Sequence, residues 1–405
     1  MLIGIFEDYY VKYFGPLIYT RPIFELRSGA FTLRQRMEYK LRERGFDRVD
    51  LLIVREYLAE PYSRILREYK VNEIYEDEDL LLINARLVMT EEIKRLLDVI
   101  KDRDVVVLSN EEILMIRLGR RLLHEVSNVL TKPIGDEFLK FIKTSVEIVN
   151  IDNVSLVRAP WDLIDMNLNF LNEDLSKIPL EEYDKIGDKV FVAGDIGKYV
   201  TFDDSKGPIV IERGAIIEDF SCIKGPVYIA KDVNVDCFTK ISDSSIGFKS
   251  KVSGLIEQTI VQGRSDIMPY SYVRTSYLGE WVMIGSNCAL CDIKMTLGSI
   301  KIRTEGMEVD TGFMELGSLI GDLARLASGT IVYPGKAIGV SAFVSGVVND
   351  NVPSFMIWSN IHERACRELS IDKIIEVYKR SAYLKEEMPS FAYIDILRKV
   401  YERMK

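Results

Sequence analysis

Aliphatic residues recur at every sixth position through the second half of the chain. Ile211, Ile217, Ile223, Ile229, Val235 and Ile241 form one run; Ile320, Leu326, Val332, Ile338 and Val344 form a second. Shorter pieces at Ile246 and Val252, and at Leu278, Ile284 and Leu290, keep the same spacing. A half-buried strand alternates with period 2 and a helix has a period near 3.6, so a sustained six fits neither alone. It fits a solenoid whose unit is a short strand and a turn, with one aliphatic side chain per unit facing inward. Glycine follows the inward residue at Ile246-Gly247, Leu278-Gly279, Ile284-Gly285, Ile320-Gly321 and Ile338-Gly339. At crowded corners such a glycine is expected to supply a positive φ. The coils are expected to begin after a transition at 185–209 and to close at Pro353. The phase is lost over 254–277. It is lost again over 298–318, where Lys301, Arg303, Glu305, Glu308 and Asp310 predict a loop or extended strand leaving the solenoid.

Residues 1–185 carry another pattern. Apolar runs of strand length at 2–6, 49–54, 80–87 and 105–108 alternate with helical patterns at 32–44, 90–100, 111–126 and 136–144. Pro133-Ile134-Gly135 separates the last two. Such alternation predicts a mostly parallel sheet flanked by helices. Residues 359–405 are charge-rich, and Ile374, Ile375, Tyr378 and Tyr383 give a partial helical stripe. A helical tail of this kind can cap the open end of a solenoid.

Composition narrows the function classes. At 47% hydrophobic residues the 405-residue chain can fill two or three cores. No apolar run approaches membrane-spanning length, so no membrane partner is expected. The stretch Met1-Leu2-Ile3-Gly4-Ile5-Phe6-Glu7-Asp8 lacks the basic start of a secretion signal, which predicts a cytoplasmic protein. A net charge of −9 argues against a nucleic-acid surface. Arg34, Arg36, Lys40, Arg42 and Arg44 cluster, but Glu38 and Glu43 are interleaved, which reads as a solvated helix face. Three Gln and two His among many Lys, Arg and Glu suit a protein from a hot environment. Cys288 and Cys291 form a lone C-x-x-C inside the repeat and read as buried or turn-lining thiols.

The most distinctive N-terminal stretch is 15–29, which follows the first strand at the edge where α/β sheets bind ligands. Arg21 and Arg27 offer planar donors suited to phosphate, with Glu25 between them to orient one guanidinium. The same residues also read as a structural Arg–Glu cluster holding the loop. The hexads resemble those of left-handed parallel β-helix proteins, many of which are trimeric acyltransferases or sugar-nucleotide enzymes. Phe6-Glu7-Asp8, Pro16-Leu17, Thr20-Arg21-Pro22, Glu25-Leu26-Arg27 and Gly29 resemble a further, more specific group. Ile83-Asn84-Ala85-Arg86, Pro160-Trp161-Asp162-Leu163-Ile164, Leu278-Gly279-Glu280-Trp281, Thr311-Gly312, Ile320-Gly321-Asp322 and Val352-Pro353-Ser354-Phe355 extend the likeness to about residue 358. That group is the divergent bifunctional UDP-N-acetylglucosamine diphosphorylase/glucosamine-1-phosphate N-acetyltransferase family. The resemblance implies an α/β nucleotidyltransferase-like domain over 1–185, an all-β left-handed parallel β-helix over 186–358 and a C-terminal helical tail over 359–405.

The resemblance also implies chemistry. Nucleotidyl transfer joins a nucleoside triphosphate to a sugar-1-phosphate, with phosphate charge neutralised and Mg²⁺ held by one or two carboxylates. Arg21 and Arg27 are the expected phosphate clamp, Glu25 and Trp161 substrate contacts, and Asp162 and Asn84 metal ligands, with Asp8 ranked lower. A buried structural Trp161 is the other reading. Acetyl transfer from acetyl-CoA needs a base, usually His. The positions where related enzymes carry Lys and His fall on Ile267 and Pro269, and both histidines, His124 and His362, lie outside the coils. Asp266 or Asp292 would have to replace the base, while Arg264, Arg274 and Lys294 suit a phosphorylated ligand. Three readings follow: a sugar-1-phosphate nucleotidylyltransferase on a trimeric solenoid, an acyltransferase with an unusual base, and a non-catalytic sugar-nucleotide-binding scaffold.

Overall fold

The computed structural model describes the chain except residues 47, 75–76, 101, 131–133, 143, 305 and 362–364. Pro133, Glu305 and His362, named above, lie outside the described residues.

The first part is a seven-stranded sheet in the spatial order Lys70–Val71, Leu51–Ile53, Leu2–Phe6, Leu80–Asn84, Glu112–Leu118, Val105–Ser109, Glu147–Asn150. Leu2–Phe6 pairs in parallel with both its neighbours, as alternating strands and helices require. Helix α1 (Leu33–Arg42) starts at a capping box of Thr32 and Gln35; α2 (Glu56–Ile65) and α3 (Glu91–Ile100) follow. The helix expected over 111–126 is corrected in its first half. Glu112–Leu118 is a strand, antiparallel to both neighbours and buried throughout, and helix α4 covers Arg120–Leu130. Asn110 and Glu111 turn the hairpin at φ of 49° and 68°, a turn for which Asn is suited. Burial on both faces hides the alternation by which a strand is read. Helices α5 (Asp136–Ile142) and α6 (Pro160–Leu175) complete this unit.

The repeat forms a parallel β-helix of the left-handed hexapeptide type, with three ladders that gain one strand per coil. Ile211 pairs with Ile229, Ile217 with Val235 and Ile223 with Ile241, and these inward side chains are fully buried. The solenoid does not break over 254–277. Ile241 pairs with Ile256 and Ile256 with Val273, so shorter corners shift the sequence phase and leave the apolar column intact. The expected excursion over 298–318 is a hairpin, Lys301–Thr304 with Met307–Asp310. The glycines after inward residues serve close approach, not positive φ. A Cβ on Gly339 would lie 2.2 Å from the Ser354 nitrogen, and one on Gly247 2.1 Å from the Gln262 oxygen. The left-handed corners are held by Phe220, Phe238 and Tyr270, among others.

The tail supplies the outermost strand of one ladder and then turns back along the solenoid. Met356–Ser359 and Ala365–Glu368 extend one ladder, and then helices α7 (Ile371–Leu384) and α8 (Phe391–Arg403) lie along its flank. Trp281 packs edge-on against Tyr378, Arg325 donates to Ser381, and α8 packs on α2. One apolar core runs from Ile3, Phe14 and Leu58 through Ile300 and Ile302 of the excursion to Ile374, Ile396 and Leu397 of the tail.

A polar seam joins the three parts. The Asp322 carboxylate, fully buried, accepts from Thr20 Oγ1 at 2.7 Å, the Tyr393 hydroxyl at 3.0 Å, the Glu280 backbone N–H at 2.8 Å and the Arg21 guanidinium. Glu280 lies 3.6 Å from Arg21 and 3.3 Å from Arg264, which also pairs with Glu387 of the tail. Burial favours the neutral form of Glu280, but Arg21, Arg264 and Arg27 outweigh it and hold its carboxyl below the usual range. Beside this, the Arg27 N–H donates to Gln262 Oε1 at 2.9 Å, and Gln262 Nε2 donates to the Glu25 carbonyl at 2.7 Å.

Three outcomes follow from this architecture. Ile223→Asp or Val332→Asp puts an unpaired charge into the column and should cost at least about 3 kcal/mol; an unchanged urea midpoint would contradict the inward assignment. Asp322→Ala strands the Arg21 guanidinium and should cost about 3–5 kcal/mol. It should also make the tail a target for limited proteolysis, and a tail as resistant as wild type would contradict the seam. Because the folded-state carboxyl of Glu280 titrates lower than the unfolded one, its contribution is complete above about pH 4.3. It is lost as pH falls through the lower folded value. Glu280→Gln should therefore flatten the acid limb of stability against pH in thermal melts, and a limb of unchanged slope would contradict this.

Candidate functional site

The parallel strands Leu2–Phe6, Leu51–Ile53 and Leu80–Asn84 end side by side, and the residues just beyond them form a charged crevice. Glu7, fully buried, pairs with Arg55 at 3.0 Å and accepts the Ile23 N–H at 2.8 Å. Burial would release the Arg55 proton, but Glu7 and Tyr57 hold it more firmly than usual. Asp8 is gripped by Arg86, whose Nε lies 3.0 Å from Oδ1. Asn84 Nδ2 donates to Asp8 Oδ2 at 2.8 Å, and Asn84 Oδ1 accepts the Arg86 N–H at 2.9 Å. Arg86 also pairs with Glu112, and Glu112 with Arg158 at 3.3 Å. Arg86 is buried, yet Asp8 and Glu112 outweigh desolvation and secure its charge.

This donor set does not fit a divalent cation. Mg²⁺ takes carboxylate oxygens that are free to face it. Both oxygens of Asp8 are engaged by Arg86 and Asn84, and Asn84 has no exposure. Asp162 caps α6, accepting the N–H groups of Arg158 at 2.7 Å and Ala159 at 2.9 Å, and burial raises its carboxyl above the usual range despite those bonds. Among the described residues no group of three or more His, Cys, Asp or Glu side chains is placed to hold a metal.

The remaining expected site residues are placed as follows. Arg21 and Arg27 stand around Glu280 in the seam and not at the crevice. Glu25 orients neither of them and binds Arg34. The basic cluster of α1 is not a solvated face: Arg34, Arg36 and Lys40 are buried and paired with Glu25, Asp174 and Glu173. Trp161 is nearly buried, at the wall of two interdomain clefts. Arg264 stacks over Trp281 and Phe248 and binds Glu280 and Glu387. Arg274 sits among Glu257, Asp292 and Glu315, and Lys294 donates to the Ser299 carbonyl. Asp266 is bound by Lys385 of the tail. Ile267 is an inward residue of the apolar column, so its position faces no solvent. The Cys288 thiol is buried against the Ala327 carbonyl, and burial pushes both it and Cys291 away from the thiolate.

Sequence reasoning missed Lys12, Arg55, Tyr57 and Arg403, which with Asp8 and Tyr19 line a cavity of about 330 Å³ at the crevice. Arg86 and Asp322 were within reach, since both stand in stretches already singled out. Arg403 had no local signal, because only the docking of α8 on α2 brings it there.

Residues 3–181 match the family described as sugar nucleotidyl transferase. Two curated relatives are similar, both the bifunctional protein GlmU of Methanococcus maripaludis. The one from strain S2 is 25% identical over 188 residues, or 46% of this chain and 41% of that protein. The one from strain C5 is 24% identical over 217 residues, or 51% of this chain and 48% of that protein. The chain thus matches less than half the length of either relative. Among solved structures, the UDP-N-acetylglucosamine acyltransferase of Francisella novicida is similar at 12% identity. That match covers 54% of this chain and 87% of that one, with a TM-score of 0.34. No described helix is long and apolar enough to cross a membrane. Residues 3–181 are thus similar to sugar nucleotidyl transferase domains, and with the hexapeptide-repeat β-helix behind them the chain resembles a divergent protein of the GlmU type.

Proposed function

We propose that this chain joins a nucleoside triphosphate to a sugar-1-phosphate and releases pyrophosphate, making a nucleoside diphosphate sugar of the UDP-N-acetylglucosamine type. A phosphate oxygen of the sugar phosphate attacks the α-phosphorus. The bond to the α,β-bridging oxygen breaks, and its electron pair leaves with pyrophosphate. The observation that carries the reading is the family match over 3–181, on a sheet whose strand ends hold a cation-rich crevice. At that crevice Lys12 faces the cavity, and Arg86 is held in place behind it by Asp8 and Glu112. Preorganised charge of this kind stabilises a transferring phosphoryl group without reorganisation. Relatives of the family use Mg²⁺; in this reading the ion comes bound to the triphosphate rather than to Asp162 or Asn84.

The β-helix is a scaffold that brings three copies together in closed cyclic symmetry. It is not an acetyltransferase, and acetyl-CoA is not a substrate. Arg264 and Asp266, the charged groups beside Ile267 and Pro269, are occupied by Glu387 and Lys385 of the tail. A second reading, a non-catalytic sugar-nucleotide binder, is favoured by one observation: Glu7, Asp8 and Glu112 are each paired with arginine.

Pyrophosphate release from a panel of nucleoside triphosphates and sugar-1-phosphates decides between the two. Turnover is expected, and binding without turnover would favour the second reading. General-base assistance contributes about 10²–10⁴-fold, so free CoA release with amino-sugar phosphates should be lower by roughly that factor than in a His-bearing relative. CoA release at an ordinary enzyme rate would contradict the scaffold role. Light scattering at micromolar protein should give the mass of a trimer, and a monomer mass would refute it.

A further inference from the structure

The cavity at the crevice has two walls of different origin. One is the segment after strand Leu2–Phe6, with Asp8, Tyr9 and Lys12; the other is the last turn of α8, with Val400, Arg403 and Met404. Lys12 stands 4.2 Å from the Tyr9 ring centroid and 5.1 Å from that of Tyr13; Arg403 stands 4.7 Å from that of Tyr57. Among the described residues neither cation is ion-paired, whereas Arg55 and Arg86 beside them are saturated by Glu7, Asp8 and Glu112. The one carboxylate on the wall, Asp8, is already neutralised by Arg86. A cavity lined by two uncompensated cations and no free anion attracts negative charge.

We propose that this cavity is a polyphosphate site that the C-terminal tail completes through Arg403, and that it takes its anion without a protein-held divalent cation. The exposed Arg403 side chain is placed by the Tyr57 ring and by the docking of α8. Tyr57, on which it stacks, donates to the Tyr19 carbonyl at 2.8 Å and accepts from Arg55 at 3.1 Å. Helix α8 is tied to α2 by Arg64–Asp395 at 2.8 Å and Lys399–Glu60 at 2.9 Å, and to the seam by Tyr393. Stacking on a ring leaves the in-plane guanidinium N–H groups free to bind phosphate oxygens. The carbonyl end of a helix repels anions, and a cation in its last turn offsets that. A volume of about 330 Å³ lies at the low end for ligand sites. It suits a diphosphate or triphosphate chain with the remainder of the ligand outside.

A purely structural Arg403, balancing the dipole of α8, is the competing account, and the two differ in what they predict. The inference rests on the nucleotidyl reading only for the source of the anion. Calorimetry on the full chain with sodium pyrophosphate, tripolyphosphate and nucleoside triphosphates, each in Mg²⁺ and in EDTA, tests it. We expect wild type to bind inorganic polyphosphate with affinities in Mg²⁺ and EDTA that agree within about threefold. Loss of one charge-assisted contact should weaken binding at least about tenfold in Arg403→Gln and in Lys12→Gln, with Lys405→Gln unchanged and melting temperatures retained. Inorganic polyphosphate binding by Arg403→Gln equal to wild type, inorganic polyphosphate binding that needs Mg²⁺, or no polyphosphate binding at millimolar concentration would each overturn the proposal. If inorganic polyphosphate binds and no nucleoside triphosphate does, the site stands and the nucleotidyl reading falls. If triphosphate binds with no dependence on Arg403, that reading stands and this inference falls.

Discussion

A single buried carboxylate, Asp322, holds three parts of the chain in one arrangement. It has no exposure to water and accepts from Thr20 and Arg21 of the α/β unit, Tyr393 of the tail and the backbone of Glu280 on the β-helix. A buried charge is tolerated only when its lone pairs are filled, so each partner must be present for the others to be stable there. This couples the docking of the tail to that of the α/β unit. Without Tyr393 in place, α8 loses one of the ties that bring Arg403 to the strand-end crevice.

The same device recurs across the molecule with arginine as the partner. Arg55 closes on Glu7, Arg86 on Asp8 and Glu112, Arg36 on Asp174, and Arg264 on Glu280 and Glu387. In each, the planar guanidinium satisfies several oxygens at once. The functional consequence lies at the crevice, where pairing removes the carboxylates from metal ligation and leaves Lys12 and Arg403 as the cations that face open space.

The fold was largely legible in the chain, for physical reasons that also set the limits. The inward column is a one-dimensional pattern, so Ile211 through Ile241 announce it directly. Its continuation through Ile256 and Val273 was hidden only because shorter corners change the count between inward residues. Glu112–Leu118 was misread because a strand buried on both faces has no alternation. The site was less legible. Arg21 and Arg27 carry the chemistry of a phosphate clamp, but residue type does not say which partner reaches a guanidinium first, and here Asp322 and Glu280 stand beside Arg21. Arg403 is remote in sequence from every other residue of its cavity except its helix neighbours, so only tertiary packing reveals it.

The central claim is that ligand chemistry takes place at the strand ends of the α/β unit, under the last turn of the tail, and not on the β-helix. Hydrogen–deuterium exchange of the full chain, with and without nucleoside triphosphate and sugar-1-phosphate, addresses it directly. The account predicts ligand-dependent protection of amides over 7–13, 55–57 and 400–404, with 263–270 unchanged. Protection confined to 263–270 and its neighbouring coils, with the strand ends unaffected, would contradict it.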